Sequence, residues 1–467
     1  MDSTTPNKGV SVVLGVGRGG ADDVVAADVA IYDFERGGVE NTSYELKMIE
    51  DKGMLWWPMD ELQQLIYSVL GQTNKNTLLS WLMPGADVYA EGQALHYRSL
   101  KDRALLNEIT ERVSPRWIWE RQGYAAVQFF QALVQCAAME RAGVNPTQVR
   151  MLCDEVEYEL RGRRGFPSSS ASMRRSNGLD TGEGTRDVFG SAGLASWYRE
   201  MMIYPPNEDE LRVAPTGARY VRPSHDSLPT RWGGAVSDNE DGKPPAKPRV
   251  GMIGSGGWNM STLRLPGGQL AGGENFDQLY ELDAAREGLG PEACWVINCA
   301  CTGDLYKALV SHCEQTFETA AALAGTYGPT NGLLPVVKGM IQTSDLPATP
   351  QSLCECMRPN AALAYVLGET VHQLTKGITA LSEASGVTLE PGDAFAVTGG
   401  FTRNPTFMKW LAEALEKLGL VPEVPRHADT MTTDAGLAKV VAQALEMPFP
   451  DALRKVQNVR DGQPAWA

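Results

Sequence analysis

Two short β-branched runs that end in glycine open the two halves of this sequence. Residues 10–16 lead into Gly17-Arg18-Gly19-Gly20, and residues 249–257 read RVGMIGSGG half a chain later. Valine and isoleucine favour strands, and glycine accepts the backbone angles of an abrupt exit. One strand-and-glycine opening in each half suggests a duplicated fold.

The intervening pattern fits layered α/β domains. Residues 28–34 read as a second strand, stopped by Arg36-Gly37-Gly38, and residues 44–48 as a third, which makes a β-meander start. Helical apolar spacing covers 115–141 and 359–385, the latter stopping at Gly386, and recurs over 407–418 and 432–446. Short apolar runs such as 394–397 lie between these helices, and such alternation implies layers of strand and helix. Residues 165–186 form a loop rich in Ser, Gly and Arg. Residues 233–248 contain SDNEDGKPPAKP and read as a linker. The expected division is 9–247, 248–448 and a tail at 449–467.

Composition narrows the partners. The chain has 467 residues, enough for two or three domains, with 43% hydrophobic and 21% charged residues. Its net charge of -15 repels a phosphate polymer, so neither nucleic acid nor an anionic membrane is an expected partner. A small phosphorylated ligand is compatible, because local amides and a metal ion outweigh the global field. The first eight residues are polar and no run of 18 apolar residues occurs, so a cytoplasmic chain is expected. The cysteines form no C-x-x-C pair. Cys294, Cys299 and Cys301 cluster, but no histidine sits at ligand spacing, so they read as small buried thiols.

Three strand ends offer bare backbone N–H groups to phosphate oxygens. They are Gly17–Gly20, Ser255-Gly256-Gly257-Trp258 and Thr398-Gly399-Gly400. None is a P-loop, and no G-x-G-x-x-G opens a helix with an acid at dinucleotide spacing. His225-Asp226 lies just before the linker, where an aspartate suits proton removal from a hydroxyl that attacks a phosphoryl group.

Several segments together resemble the FGGY carbohydrate kinases, closest to the rhamnulokinase and L-fuculokinase branch. AEGQALHYR, ending at Arg98, resembles the family's acidic-glycine turn before Tyr-Arg, and ITERVSPRWIWERQG at 109–123 resembles a helix start. PSHDS at 223–227 is similar to "gsHDT", GSGGW at 254–258 to "sSGTW", and VTGGFTRNP at 397–405 to "vGGGsrNp". Residues 432–442 resemble the helix that follows.

The resemblance implies a two-domain actin-like ATPase fold, a duplicated ribonuclease H-like α/β architecture with the active cleft between domains. It implies ATP and Mg²⁺, and transfer of the γ-phosphoryl group to a hydroxyl of a ketose or related sugar. Asp226 is then the general base, and His225, Arg98 and Asp87 face the sugar. Ser255, Gly256 and Gly257 hold phosphates, and Gly399, Gly400 and Asn404 frame the adenosine. The partners implied are the sugar and ATP, with a homodimer as the assembly considered.

The chain departs from the family at charged positions. The first strand, where the family has "DxGTT", carries Gly15-Val16-Gly17-Arg18-Gly19 here, and Asp22 and Asp23 are the nearest carboxylates for the metal. The family's "GvD" falls near Leu82-Met83-Pro84, with Asp87 the closest acid. Two functional expectations follow: an active sugar kinase with a remodelled first loop, or a non-catalytic relative that binds nucleotide or sugar as a regulatory or partner subunit.

Overall fold

The computed structural model describes residues 6–16, 24–83, 87–97, 103–113, 131–164, 183–201, 212–221, 223–225, 227–256, 259–265, 280–283, 293–300, 302–327, 350–428 and 431–463. The chain forms two compact units. The first comprises Met1–Trp232 and Thr432–Ala467, and the second runs from Gly233 to Met431 apart from a short stretch after Asp283.

The first unit is built on β1 (Lys8–Val16), β2 (Val24–Asp33) and β3 (Gly38–Lys47), an antiparallel meander. A five-stranded sheet holds β4 (Ile49–Asp51), β5 (Met54–Trp56), β7 (Val88–Ala90), β8 (Gln93–Leu95) and β9 (Arg150–Met151). On the other side of β1 lies β6 (Thr77–Met83), parallel to it. Beyond β6 come β10 (Arg212–Val213), β11 (Arg219–Tyr220) and β12 (Ser224–His225). The main order is β10-β11-β6-β1-β2-β3, with β12 also paired to β6. All seven side chains of β6 are buried, as a central parallel strand covered on both faces requires, whereas the edge strand β3 is mostly exposed. Ser11 and Ser80, buried across the β1–β6 pair, satisfy each other at 2.9 Å.

The second unit repeats the pattern. Its strands are β13 (Gly251–Ser255), β14 (Asn259–Leu265), β15 (Tyr280–Asp283), β16 (Ala293–Ala300), β17 (Ala394–Thr398) and β18 (Val421–Glu423). They stand in the order β15-β16-β14-β13-β17-β18. Antiparallel β13, β14 and β16 correspond to β1, β2 and β3. Parallel β17 and β18 correspond to β6 and β11. The duplication expected from two glycine-ended strands is therefore a duplication of sheet order. The helix Pro359–Ser385 packs on β14 and β16 and ends at Gly386, as its periodicity predicts. Pro405–Glu416 and Met431–Leu445 match the other two expected helices to within two residues. Of the helix expected over 115–141, Ala132–Arg141 is helical and 115–130 lies outside the described residues, as does most of the 165–186 loop.

Two boundaries differ from the expected division. The proline-containing stretch 233–248 belongs to the second unit because Arg249 gathers it in. This guanidinium is fully buried. Its Nε donates to Glu423 Oε2 at 2.8 Å, and Nη1 donates to Gly234 O at 2.9 Å and Ser237 O at 2.8 Å. Nη2 donates to Asn239 Oδ1. Burial pulls the Arg249 pKa down, and the Glu423 carboxylate opposes that shift. The second difference is at the C-terminus, where residues 432–463 fold onto the first unit. Gly436 sits so close to Leu82 that a Cβ would lie 2.3 Å from its Cδ1, and Asp434 accepts a hydrogen bond from Tyr32 Oη at 3.0 Å. The helix Phe449–Arg460 brings Lys455 over the Phe34 ring at 5.7 Å and Arg460 to 3.6 Å from Asp434. Residues 449–463 are thus a packed element of the first unit.

Among the described residues no helix is long and apolar enough to cross a membrane.

Arg249→Met leaves four acceptors without their donor, and a broken buried ionic network costs about 3 kcal/mol. Urea unfolding of the variant should show that loss. A loss under about 1 kcal/mol would mean that Arg249 does not tether the 233–248 segment.

Candidate functional site

In open α/β sheets ligands gather outside the carboxyl ends of parallel strands. In the first unit, β1 and β6 run parallel with Val13 opposite Leu82, and β12 runs parallel to β6 with His225 opposite Met83. The chain therefore leaves β1 after Val16, β6 after Met83 and β12 after His225 at one edge of the sheet. The sequence-predicted Asp22, Asp23 and Asp226 follow β1 and β12. These three, together with Arg98, Gly257 and the Gly17–Gly20 turn, lie outside the described residues.

Asp87, three residues past Pro84, is described in full. It is 1% exposed, and both carboxylate oxygens are hydrogen-bonded within the protein. Oδ2 accepts from Trp57 Nε1 at 2.5 Å and Oδ1 from Tyr97 N at 3.0 Å. The Trp57 ring lies 5.7 Å from that of His96, which stacks on Tyr97 at 5.2 Å. The carboxylate thus ties β7 to the backbone that enters Arg98, a geometry that orients a neighbour. Trp57 was invisible as a partner in the sequence, since it sits in no motif and lies far from Asp87, whereas His96 falls in the AEGQALHYR segment but is separated from Asp87 by a hairpin.

In the second unit the two glycine-ended strands meet directly. β13 and β17 are parallel, with Gly254 opposite Thr398, and Ser255 Oγ donates to Thr398 O at 2.6 Å. Gly399 has φ 95 and ψ -179, a region that essentially only glycine occupies. A Cβ there would also lie 2.5 Å from Ser255 O. Gly256 and Gly400, on either side of this contact, are exposed, so two bare backbone segments face solvent at adjacent strand ends. A Cβ at Gly400 would meet nothing within 4 Å.

The loop after Gly399 is rigidly held. Thr402 Oγ1 and N both donate to Gly399 O, at 2.7 Å and 3.1 Å. Asn404 Oδ1 accepts from Phe407 N at 2.9 Å and caps the helix Pro405–Glu416, while Nδ2 donates to Tyr306 Oη at 3.4 Å. The predicted adenosine residue is therefore a helix cap whose side chain fixes the loop. Burial pushes the Tyr306 hydroxyl up to about 12, so it stays protonated. Phe401 stacks on Phe407 at 5.0 Å and meets Tyr306 edge-on at 5.3 Å, an aromatic base beneath the turn. Behind the β13–β14 hairpin, Asn259 Nδ2 donates to Thr302 Oγ1, which lies 2.7 Å from Thr370 Oγ1.

This arrangement suits an anionic phosphate chain: no side chain can enter at Gly399, and exposed backbone flanks it. For a metal, no group of three His, Cys, Asp or Glu converges among the described residues.

Sheet order, duplication and glycine exits define an α/β protein of the two-domain actin-like ATPase, duplicated ribonuclease H-like fold. Two solved structures share that fold. Glycerol kinase from Plasmodium falciparum, solved with ADP, matches with a TM-score of 0.64 at 11% identity, over 94% of this chain and 90% of its own. A carbohydrate kinase from Novosphingobium aromaticivorans matches with a TM-score of 0.56 at 13% identity, over 95% of this chain and 99% of its own. No family model matches the sequence, and no curated protein sequence matches it.

Gly399→Ala is expected to cost about 2 kcal/mol or more, from the forbidden backbone angles and the Ser255 clash. Gly400→Ala, with open space around its Cβ, should stay within about 0.5 kcal/mol of the parent. Chemical unfolding distinguishes the two, and equal losses would disprove the close packing of β13 on the β17 exit.

Proposed function

We propose that this chain is an FGGY-type carbohydrate kinase, which moves the γ-phosphoryl group of ATP to a hydroxyl of a ketose or related sugar. One observation supports the reading: in each unit, parallel strands end at the same edge of that unit's own sheet immediately before motif-bearing segments. The fold shared with a glycerol kinase and a carbohydrate kinase adds to it.

In the proposed reaction the acceptor hydroxyl gives its proton to the Asp226 carboxylate. Its oxygen forms the new bond to the γ-phosphorus, and the bridging bond to the β-phosphate breaks to leave ADP. Backbone amides at Ser255, Gly256 and Gly257 hold the phosphates. Gly399 and Gly400 admit the adenosine side of the nucleotide, and Asn404 keeps their loop in shape. His225 and Arg98 face the sugar. Asp87 acts from behind, by fixing the backbone before Arg98 through Tyr97. Asp22 and Asp23 would hold Mg²⁺, which would supply charge neutralisation at the phosphates.

A specific observation favours a second reading. The described part of β1 ends in Gly15-Val16 with no carboxylate, and both Asp87 oxygens are already engaged. A relative that binds nucleotide or sugar without transfer, as a regulatory or partner subunit, needs neither acid.

A coupled ADP-release assay over rhamnulose, fuculose, xylulose and ribulose separates the two. The kinase reading expects release with at least one sugar. Asp226→Asn should lower it at least about 100-fold, while the rise in Tm produced by ATP and Mg²⁺ persists. Full turnover in the variant would remove Asp226 from the mechanism. Silence on every sugar, with the Tm rise intact, selects the non-catalytic relative, and no Tm rise with either millimolar nucleotide or any of the sugars would defeat both readings.

A further inference from the structure

The second unit carries a cavity of about 330 Å³ that the proposed reaction does not use. It lies between the helices Pro359–Ser385 and Pro405–Glu416. Val371, Trp410 and Leu418 give it an apolar lining, with Trp410 only 5% exposed and Leu418 44% exposed. Lys376 comes from the first helix and Lys417 from the end of the second, and both are exposed. That volume is at the small end of ligand cavities.

Charge selects the occupant. The chain as a whole carries -15, yet this cavity brings two lysines from different helices to one rim. Among the described residues neither lysine is in an ion pair. The lining carboxylate, Glu413, lies 4.0 Å from Lys409 on its own helix. Thr375 and Thr379 donate their hydroxyl protons to backbone carbonyls of their own helix, at 2.9 Å and 3.3 Å, so they offer no donor to a ligand. Polar recognition therefore falls to the two ammonium groups and the His372 imidazole, above an aromatic and aliphatic floor. An anion placed there meets the two ammonium groups, while an apolar body lies against the Val371, Trp410 and Leu418 lining.

We infer that this cavity is a second ligand site, which takes a small organic anion with a planar apolar body. It is separate from the nucleotide loops. Asn404 caps the N-terminal end of Pro405–Glu416, whereas Glu413, Lys417 and Leu418 lie at the other end, and twelve residues of helix span about 18 Å. The inference is independent of the kinase reading, since it uses no residue of that site.

The probe is anilinonaphthalene sulfonate, an anionic aromatic fluorophore, titrated into the intact chain. Saturable binding is expected, weakened by added salt and unaffected by ADP with Mg²⁺. Lys376→Glu with Lys417→Glu should raise its Kd at least about tenfold while Tm stays the same, because both side chains are exposed. N-phenylnaphthylamine, which has the rings without the sulfonate, should bind more weakly than the anion. The inference is overturned by unchanged affinity in the double variant, by displacement with ADP, or by equal affinity for the neutral probe. Absence of saturable binding overturns it as well.

Discussion

Parallel pairing of the first strand of each unit with a strand that returns much later is the constraint on which everything else rests. β1 pairs with β6, and β13 pairs with β17, whose partners are separated by long crossovers. Parallel neighbours end at the same sheet edge, so their exits are brought together whatever lies between them in sequence. In the second unit this pairing is tight enough to leave no room for a Cβ between Gly399 and Ser255. The glycines are therefore needed for packing before any ligand is considered, and the bare backbone they leave is what a phosphate chain can use.

The same pairing explains why the chain does not divide where its composition changes. Arg249 sits immediately before β13, and its buried guanidinium must find acceptors. It finds them in Gly234 O, Ser237 O, Asn239 and Glu423, which draws a polar, proline-bearing stretch into the sheet that it precedes. At the other end, β1 and β6 need a cover on one face, and Leu82 is met there by Gly436. The C-terminal helices fold back for that reason, with Asp434 held by Tyr32 and Arg460.

Periodicity made much of this fold legible. The 27-residue helix Pro359–Ser385 and its stop at Gly386 were readable because one apolar face is needed against β14 and β16. The β1–β2–β3 meander was readable from β-branched runs and glycine stops, although β2 begins at Val24 and β3 at Gly38, before the expected starts at 28 and 44. Segment membership was not legible, since it is decided by single buried groups such as Arg249 and by the space left at Gly436. The roles of Asp87 and Asn404 were half legible. Asn404 falls in a motif and Asp87 only near one, but only the fold shows that the carboxylate is engaged by Trp57 and Tyr97 and that the amide serves as a cap.

The proposed nucleotide site raises a question of charge that the two units answer differently. A triphosphate brought to a chain of net charge -15 meets a repulsive field, and the β13 and β17 exits offer only the partial charges of amides against it. Amides suffice for affinity, because they are pre-positioned and lose little on binding. Transfer demands more, since charge shifts toward the leaving phosphate and must be met where it develops. In the kinase reading that charge would be met by Arg18 and by Mg²⁺ held at Asp22 and Asp23, residues that all follow β1 in the sequence. In the proposed kinase, binding and turnover would thus be separable: the second unit's sheet edge would hold the nucleotide, and the residues after Val16 would decide whether it reacts.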